Sequence, residues 1–243
     1  MSSERIIKDM GAKWDEAARK NVRYYIATSA SESEEKFIDS GKYDAEKILS
    51  GLPRFNPKTD RALEIGCGIG RLLRWMNDHF CSLYGVDISD EMIRCGRDWL
   101  REYPKIKLVQ TTGNNLSMFE DNQFDFVYSY ITFQHIPSRK LVTKYIAEAY
   151  RVLKPGGYFR FQTFRVLSPL GFLKNRIRIL LYPYRKNDCF TGYSWRVRCI
   201  EKSIRACGFQ EVDINDKLEC RIKAPYPVGQ PEGHVWCTAR KGH

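Results

Sequence analysis

Hydrophobic and polar positions along the chain follow two periods. Apolar side chains recur at helical spacing across residues 12–27, and a second helix is predicted near residues 42–50 after a polar break. From about residue 60 onward, short apolar runs of strand length take turns with amphipathic helical segments. The predicted strands are RALEIG, SLYGVD, IKLVQ, FDFVYSY and GYFRFQTF, and the predicted helices cover residues 70–79, 90–102 and 138–151. This alternation predicts a mostly parallel sheet with right-handed crossovers and helices on both faces.

The last part of the chain departs from this alternation. After a helix predicted over residues 195–207, the stretches FQEVDIN and HVWCTARK have the composition of strands, and the loop between them contains proline and glycine but no helical pattern. Parallel neighbours need a long crossover, whereas antiparallel neighbours do not. At least one of these two strands is therefore expected to be antiparallel.

Composition limits the class of protein. A chain of 243 residues is long enough for one large domain with additions. It has no uninterrupted apolar run of transmembrane length, and the first ten residues, MSSERIIKDM, carry charges where a signal peptide has an apolar core. The eight cysteines form no Cys-x-x-Cys pair and no Cys/His cluster at zinc spacing. We therefore expect a cytoplasmic protein that holds no structural metal.

The net charge of +11 is concentrated in the last third of the chain. Residues 159–243 contain 16 Lys and Arg against 7 Asp and Glu, whereas residues 1–61 and 62–158 each contain 12 against 11. A localised positive field attracts phosphorylated small molecules, nucleic acid or an acidic membrane surface. A basic face kept only for solubility is the alternative.

The stretch ALEIGCGIGRLL, residues 62–73, has the glycine density of a nucleotide-binding loop. It lacks the Gly-Lys-Ser/Thr end of a phosphate-binding P-loop, and Arg71 stands where the dinucleotide fingerprint needs its third glycine. The motif present is Glu-x-Gly-x-Gly-x-Gly over residues 64–70, and the next strand closes with Asp87. Glycines permit positive φ and close approach of a ligand, and a carboxylate at this place can accept two hydrogen bonds from a ribose diol.

Four motifs in this order resemble the class I S-adenosylmethionine-dependent methyltransferases of the small-molecule type. They are the glycine motif, Asp87, FEDNQFDFVYSYITFQHIP (119–137) and RVLKPGGYFRF (151–161), and the resemblance covers about residues 60–165. It implies an α/β fold: a Rossmann-like, doubly wound, seven-stranded sheet, mostly parallel with an antiparallel last strand. Amino-terminal helices and an acceptor-side insertion complete the fold.

The resemblance also implies a domain organisation. We expect an amino-terminal helical lid over residues 1–55 and a methyltransferase domain over residues 56–243. The insertion is expected over residues 165–195 of that domain.

The resemblance implies S-adenosylmethionine as the cofactor and suggests where each part of it binds. The glycine loop is expected to line the methionine and ribose, with Glu64 ordering the loop or reaching the amino group. Asp87 is expected to hold the ribose hydroxyls. The acid that the family often has near the adenine is replaced by TTGNNLSMF, so Asn114, Asn115 or a backbone group takes that contact. The full predicted set is Glu64, Gly66, Cys67, Gly68, Gly70, Arg71, Asp87, Ile88, Asn115, Leu116, Tyr130 and Ile131.

The acceptor side is predicted from the residues just past the fourth strand. His135 is the candidate general base or acceptor ligand, with helix capping or support of another group as the alternative. No metal is required, because the sulfonium methyl is already activated. The other predicted acceptor residues are Trp14, Tyr24, Tyr25, Gln134 and Arg165, of which the three aromatic ones are equally suited to the core.

The insertion combines aliphatic and aromatic side chains with six basic residues and one acid over residues 165–190. This composition suits an anionic acceptor with hydrophobic parts, or a peripheral contact with a membrane surface. The alternative is a lid helix with a solvated basic face. The proline-containing loop over residues 216–234 is expected on the same rim.

The resulting functional prediction is methyl transfer to O or N of a small-molecule acceptor, anionic or sugar-like, by in-line displacement. One alternative is an RNA-directed enzyme that uses the basic last third. The stretch SYITFQHIP lacks the Asn/Asp-Pro-Pro-Tyr/Phe motif of enzymes that methylate base amino groups, so nucleic acid is the less favoured partner. A non-catalytic, cofactor-binding partner subunit is the other alternative.

Overall fold

The computed structural model describes residues 3–181, 192–218, 221 and 233–243. The strands, labelled in chain order, are β1 (Arg61–Ile65), β2 (Ser82–Asp87), β3 (Ile106–Gln110), β4 (Phe124–Ser129), β5 (Leu153–Phe164), β6 (Phe209–Asn215) and β7 (His234–Lys241). They form one seven-stranded sheet in the order β3-β2-β1-β4-β5-β7-β6. Strands β1 and β3 pair in parallel with β2, and β4 pairs in parallel with β5, whereas β7 is antiparallel to both β5 and β6. The predicted fold, mostly parallel with an antiparallel last strand, is confirmed.

The helices are α1 (Ser3–Ile26), α2 (Glu34–Leu49), α3 (Leu73–Met76), α4 (Asp90–Trp99), α5 (Arg139–Val152), α6 (Pro169–Leu181) and α7 (Val197–Ala206). Short 3₁₀ helices occur at Thr28–Ala30 and Phe133–His135. Among the helices of the described ranges, none combines the length and the apolar character needed to cross a bilayer.

The first two helices are longer than predicted. Helix α1 begins at Ser3 and contains a break at Asn21, whose backbone is extended rather than helical. Helix α2 begins at Glu34, eight residues before the predicted start, because the Ser33 side chain accepts the N–H of Lys36 and caps the helix. The polar break predicted between the two helices therefore overlaps the start of α2.

The helix predicted over residues 70–79 is wrong in extent, because α3 covers only Leu73–Met76. Gly70 has φ +81°, which is incompatible with the start of a right-handed helix. Strand β5 begins at Leu153, four residues before the predicted strand GYFRFQTF, so the KPGG stretch lies inside it. The pairing of β5 with β4 has a register shift between Phe124 and Phe126. The helices predicted over residues 90–102, 138–151 and 195–207 are confirmed as α4, α5 and α7.

The chain divides into two compact units. Of the described residues, the amino-terminal unit contains 11–111, 218 and 221, and the carboxyl-terminal unit contains 3–10, 112–181, 192–217 and 233–243. The core of the first is mainly aliphatic, with Leu63, Leu73, Leu83 and Ile93 fully buried. The core of the second is aromatic, and its fully buried rings include Phe126, Phe133, Phe159, Phe161 and Trp236.

A buried ion pair fastens α2 within the amino-terminal unit. The Arg71 guanidinium donates to Ser40 Oγ at 2.8 Å and to Asp44 Oδ2 at 2.7 Å. The Arg71 and Asp44 side chains are 4% and 3% exposed, and the guanidinium lies 5.9 Å from the centre of the Phe37 ring. Removing one partner of such a pair leaves an uncompensated charge away from water.

We expect Asp44→Ala to lower the free energy of unfolding by about 3–5 kcal/mol, because the Arg71 guanidinium would stay buried without its carboxylate. Chemical denaturation monitored by circular dichroism measures this loss. Asp39→Ala is the matched control, since Asp39 lies on the same helix but is exposed. Equal losses in the two variants would contradict a structural role for the ion pair.

Candidate functional site

The glycine loop after β1 has a backbone that requires its glycines. Gly66, Gly68 and Gly70 have φ values of +77°, +54° and +81°. The N–H groups of Gly66 and Cys67 both donate to the carbonyl of Val86 on β2, at 2.7 and 3.0 Å, and Gly70 N–H donates to Cys67 O at 2.8 Å. Residues other than glycine rarely adopt this left-handed conformation, so the sequence and the loop shape are directly coupled.

The carboxylate of Asp87 ties this loop to the end of β2. Its Oδ2 accepts Gly68 N–H and its Oδ1 accepts Ser89 N–H, each at 2.9 Å. Burial raises the pKa of the Asp87 carboxyl above its usual value, although the N–H groups of Ser89 and Gly68 act in the opposite direction. A carboxylate oxygen can accept more than one hydrogen bond, so both oxygens can still receive a hydroxyl donor. The arrangement fits a ribose diol.

Helix α1 is fastened beside Asp87 by a carboxylate that the sequence motifs do not reveal. Asp15 Oδ1 accepts the hydroxyl of Ser89 at 2.6 Å and the N–H of Glu91 at 3.1 Å. Ser89 Oγ in turn accepts Met92 N–H at 3.1 Å and caps α4. The capping residue of α4 is readable from the sequence, but no local pattern connects it with residue 15.

Apolar contacts also hold α1 against the glycine loop. A Cβ atom added at Gly68 would lie 3.0 Å from Ile26 Cδ1, and one added at Gly11 would lie 3.7 Å from Ile88 Cγ1. Trp14 packs against the buried cluster that includes Phe37. Close packing of α1 is therefore a second reason for glycine at position 68.

The three aromatic residues predicted on the acceptor side have different surroundings. Trp14 lies against the core cluster, whereas Tyr24 is exposed and Tyr25 is half-buried. The rings of Tyr24 and Tyr25 meet edge to face at 5.2 Å. Trp14 and Tyr25 are both half-buried, so Tyr24 is the most accessible of the three.

Other residues of the predicted cofactor set serve the framework of the amino-terminal unit. A Cβ atom at Gly70 would lie 2.5 Å from Leu100 Cδ1, so this glycine permits close packing of the residue that ends α4. The Arg71 side chain is engaged with α2, as described above. Cys67 is buried and donates to Gly68 O at 3.4 Å. Burial raises the pKa of its thiol, and Asp87 and the buried Glu64 add to the effect, so the thiol is protonated and unsuited to nucleophilic attack.

In the carboxyl-terminal unit, the Asn115 and Leu116 backbone is fastened to α5. Leu116 N–H donates to Glu148 Oε2 at 2.8 Å, and Arg151 Nη2 donates to Leu116 O at 3.0 Å. The Asn115 side chain accepts the N–H and the hydroxyl of Ser117 at 3.1 and 2.8 Å. These hydrogen bonds hold the turn, and its Asn115 side chain is half-buried.

The end of β4 carries the only β-branched residue with positive φ among the described residues. Ile131 has φ +55°, a conformation that costs energy for such a side chain and often marks a functional site. The preceding ring, Tyr130, stacks on Trp236 with centroids 5.4 Å apart. No sequence signal indicated the strain at Ile131, although the residue itself was predicted.

His135 lies in the 3₁₀ helix that follows, half-buried, with its Nε2 atom 3.3 Å from Gln134 Nε2. The chain returns to this place after α6. A Cβ atom at Gly192 would overlap the Gln134 carbonyl, and Tyr193 N–H donates to Ile136 O at 2.9 Å. Within this unit, the structure therefore brings the predicted residues 134 and 135 together with the end of the insertion.

Arg165, the last predicted acceptor residue, pairs with Asp216 through Nη2 and Oδ2 at 2.5 Å. Residues 182–191 of the insertion, and all of the predicted rim loop except residues 216–218, 221, 233 and 234, lie outside the described residues. Within the described ranges, no group of three or more His, Cys, Asp and Glu side chains could hold a metal ion.

We expect Asp15→Ala to release α1 from the start of α4, because two hydrogen bonds to a carboxylate are lost. Amide hydrogen exchange across residues 12–25 should accelerate about tenfold, which corresponds to about 1.4 kcal/mol. Glu16→Ala is the control, since Glu16 pairs only with Lys13 and Lys20 of the same helix among the ion pairs of the described residues. Unchanged exchange in Asp15→Ala would show that the apolar contacts alone hold the helix.

Comparison with known proteins relates part of this chain to a family of domains. Residues 63–161 match the family model described as a methyltransferase domain. The chain is 38% identical over 174 residues to sterol 24-C-methyltransferase erg6 of Schizosaccharomyces pombe, covering 69% of this chain and 45% of that protein. It is 36% identical over 124 residues to phosphoethanolamine N-methyltransferase 2 of Caenorhabditis elegans, covering 50% and 28%. The chain thus spans less than half the length of these relatives.

A solved structure shares the fold. It is a phosphoethanolamine N-methyltransferase 2 of Haemonchus contortus in complex with phosphomonomethylethanolamine and S-adenosylhomocysteine. The TM-score is 0.58 at 19% identity, over 82% of this chain and 53% of that one. The family match, the sheet order and the glycine loop anchored by Asp87 are all consistent with a methyltransferase domain. Residues 63–161 thus form a methyltransferase domain, and the seven-stranded sheet has a fold similar to that of class I S-adenosylmethionine-dependent methyltransferases.

Proposed function

We propose that this protein transfers a methyl group from S-adenosylmethionine to O or N of a small-molecule acceptor that is anionic or sugar-like. The observation that carries the proposal is the Asp87 carboxylate, which is anchored by Gly68 and Ser89 and still able to accept two hydroxyl groups. When bound, S-adenosylmethionine supplies a methyl group activated by its sulfonium.

In this proposal the amino-terminal unit holds the cofactor. Asp87 accepts the ribose hydroxyls, the loop backbone at Gly66 and Gly68 lines the ribose and methionine, and Ile88 flanks the adenine. Helix α1 belongs to a lid over residues 1–55 that excludes water. The hydrogen bonds of Asp15 and the contact of Ile26 with Gly68 support such a lid, because they hold α1 against the loop.

In this proposal, residues of the carboxyl-terminal unit contact the methyl acceptor. Tyr130 and Ile131 would contact the cofactor, and the strain at Ile131 supports a functional role there. A hydroxyl acceptor needs a base, and His135 takes the proton from it; a neutral amine attacks first and loses its proton afterwards. Gln134 and Arg165 contribute polar contacts to the acceptor.

An anionic acceptor is supported by the excess of Lys and Arg over residues 159–243, 16 against 7 acids. One relative is named for phosphoethanolamine, which carries such a charge. We place the enzyme in the cytoplasm, where reducing conditions suit the six free cysteines of the described residues.

Cofactor binding is tested by calorimetric titration with S-adenosylhomocysteine, with NAD as the control ligand. We expect micromolar binding of the first alone. Asp87→Asn should weaken it by about tenfold or more, because charge-assisted hydrogen bonds to the diol become neutral ones. Asp90→Asn is the matched variant, since Asp90 is exposed and three residues further along the chain.

The affinity of the unsubstituted protein should fall on acidification, because protonation of Asp87 removes the acceptor. The fall should begin at a higher pH than for an ordinary aspartate, because burial raises the pKa of the Asp87 carboxyl. The Asp87→Asn variant should lack this dependence. Preference for NAD, or equal affinity of the folded Asp87→Asn variant, would refute the ribose assignment.

The acceptor side is tested by screening anionic and sugar-like small molecules for methyl transfer, followed by His135→Ala on the acceptor found. For a hydroxyl acceptor we expect kcat to fall by about 10²–10⁴-fold, as loss of a general base predicts, while S-adenosylhomocysteine affinity is retained. His79→Ala is the control, because it removes a histidine of the amino-terminal unit that is not among the proposed acceptor residues. Near-normal turnover of His135→Ala would remove the base role.

A further inference from the structure

Exposed apolar side chains are concentrated in one short segment. Eight large apolar residues of the described chain are exposed, and six of them lie within residues 167–181. These six are Leu167, Leu170, Leu173, Ile177, Leu180 and Leu181, with exposed fractions from 48% to 79%. Five of them belong to α6, a helix that has no buried residue. A contiguous apolar patch of this kind indicates an interaction surface.

The opposite face of α6 fixes how the helix is rotated. Asn175 Nδ2 donates to Gly192 O at 3.2 Å, and Asn175 Oδ1 accepts Ser194 N–H at 3.0 Å. The Phe172 ring meets Tyr193 edge to face at 6.2 Å, and the Arg196 guanidinium lies 4.8 Å from its centre. The helix is held by these contacts, so its apolar stripe points away from the unit to which it belongs.

The stripe is regular and purely aliphatic. Leu170, Leu173, Ile177 and Leu180 recur at intervals of three and four residues, which places them along one side of the helix. At 100° per residue, Leu181 widens the same arc. The result is a convex ridge of leucine and isoleucine about 100° wide.

Cations border this ridge on both sides. Helical geometry places Lys174 and Arg178 along one edge of the ridge and Arg176 along the other, and all three are exposed. The helix Pro169–Leu181 contains no acidic residue. Long cationic side chains beside an apolar face can keep their charged ends among phosphate groups while the aliphatic face enters an apolar phase.

We propose that α6 docks on the surface of an anionic lipid bilayer, with its aliphatic ridge in the acyl region and its flanking cations among the headgroups. The core of a protein interface is enriched in aromatic residues, whereas this ridge is aliphatic and its edges are cationic. The overall charge of +11 attracts the same partner. This inference does not depend on the identity of the methyl acceptor, nor on methyl transfer itself.

The test is co-sedimentation of the full chain with vesicles of phosphatidylcholine alone and of phosphatidylcholine mixed with phosphatidylglycerol. We expect binding to the anionic vesicles that is at least about tenfold tighter and that weakens with added salt. Lys174→Gln combined with Arg178→Gln should reduce it by about fivefold for each charge removed. Binding that ignores lipid charge, or no binding, would overturn the proposal.

The apolar ridge is tested by Leu173→Asp combined with Leu180→Asp, for which we expect at least about a tenfold loss of vesicle binding. The control is Met118→Asp, at an exposed apolar residue outside the insertion. Thermal unfolding and S-adenosylhomocysteine affinity are measured on each variant, so that loss of the fold or of cofactor binding is separated from loss of docking. Light scattering tests the competing explanation, in which a second copy of this chain covers the ridge. A dimer that the double variant converts to monomer, with no vesicle binding by either, would assign the ridge to a second copy of this chain.

Discussion

The hydrogen bonds accepted by the Asp87 carboxylate are the interactions on which the glycine loop and its neighbouring helices depend. The carboxylate joins the glycine loop to the start of α4 through the N–H groups of Gly68 and Ser89. Ser89 then accepts the N–H that begins α4 and donates to Asp15 of α1. The shape of the loop, the start of α4 and the attachment of α1 therefore depend on one hydrogen-bond network. Partial burial of the carboxylate costs free energy, and the two backbone donors offset that cost.

The sequence predicts the framework because its signals are local. Buried parallel strands are apolar runs, and a loop with three left-handed residues must contain glycine, so the sheet and the glycine motif can both be read directly. The partners of Asp15 and Arg71 cannot, because each lies about 27 to 76 residues away along the chain. Arg71 shows the consequence: its place in a binding motif suggested a ligand contact, whereas its guanidinium holds α2.

The insertion illustrates a different limit. The periodicity of residues 169–181 establishes that an apolar stripe and a basic face exist, but both a lid helix and a surface helix have that pattern. The structure distinguishes these two arrangements through Asn175. The hydrogen bonds of its side chain with Gly192 and Ser194 orient the helix so that the leucines are exposed. The polar residue opposite the leucines thus determines the orientation of α6, which the hydrophobic pattern alone does not predict.

The hydrogen bonding of the glycine loop bears on which nucleotide it serves. In a P-loop, backbone N–H groups are directed at a phosphate and supply most of its binding. Here the N–H groups of Gly66, Cys67, Gly68 and Gly70 are already bonded to Val86, Asp87 and Cys67 within the chain. These four amides are therefore committed to loop shape rather than to an anion. If the loop holds the cofactor as we propose, recognition relies on the Asp87 carboxylate and on carbonyl and apolar contacts. This suits a cofactor that has a ribose and a cationic sulfur but no phosphate.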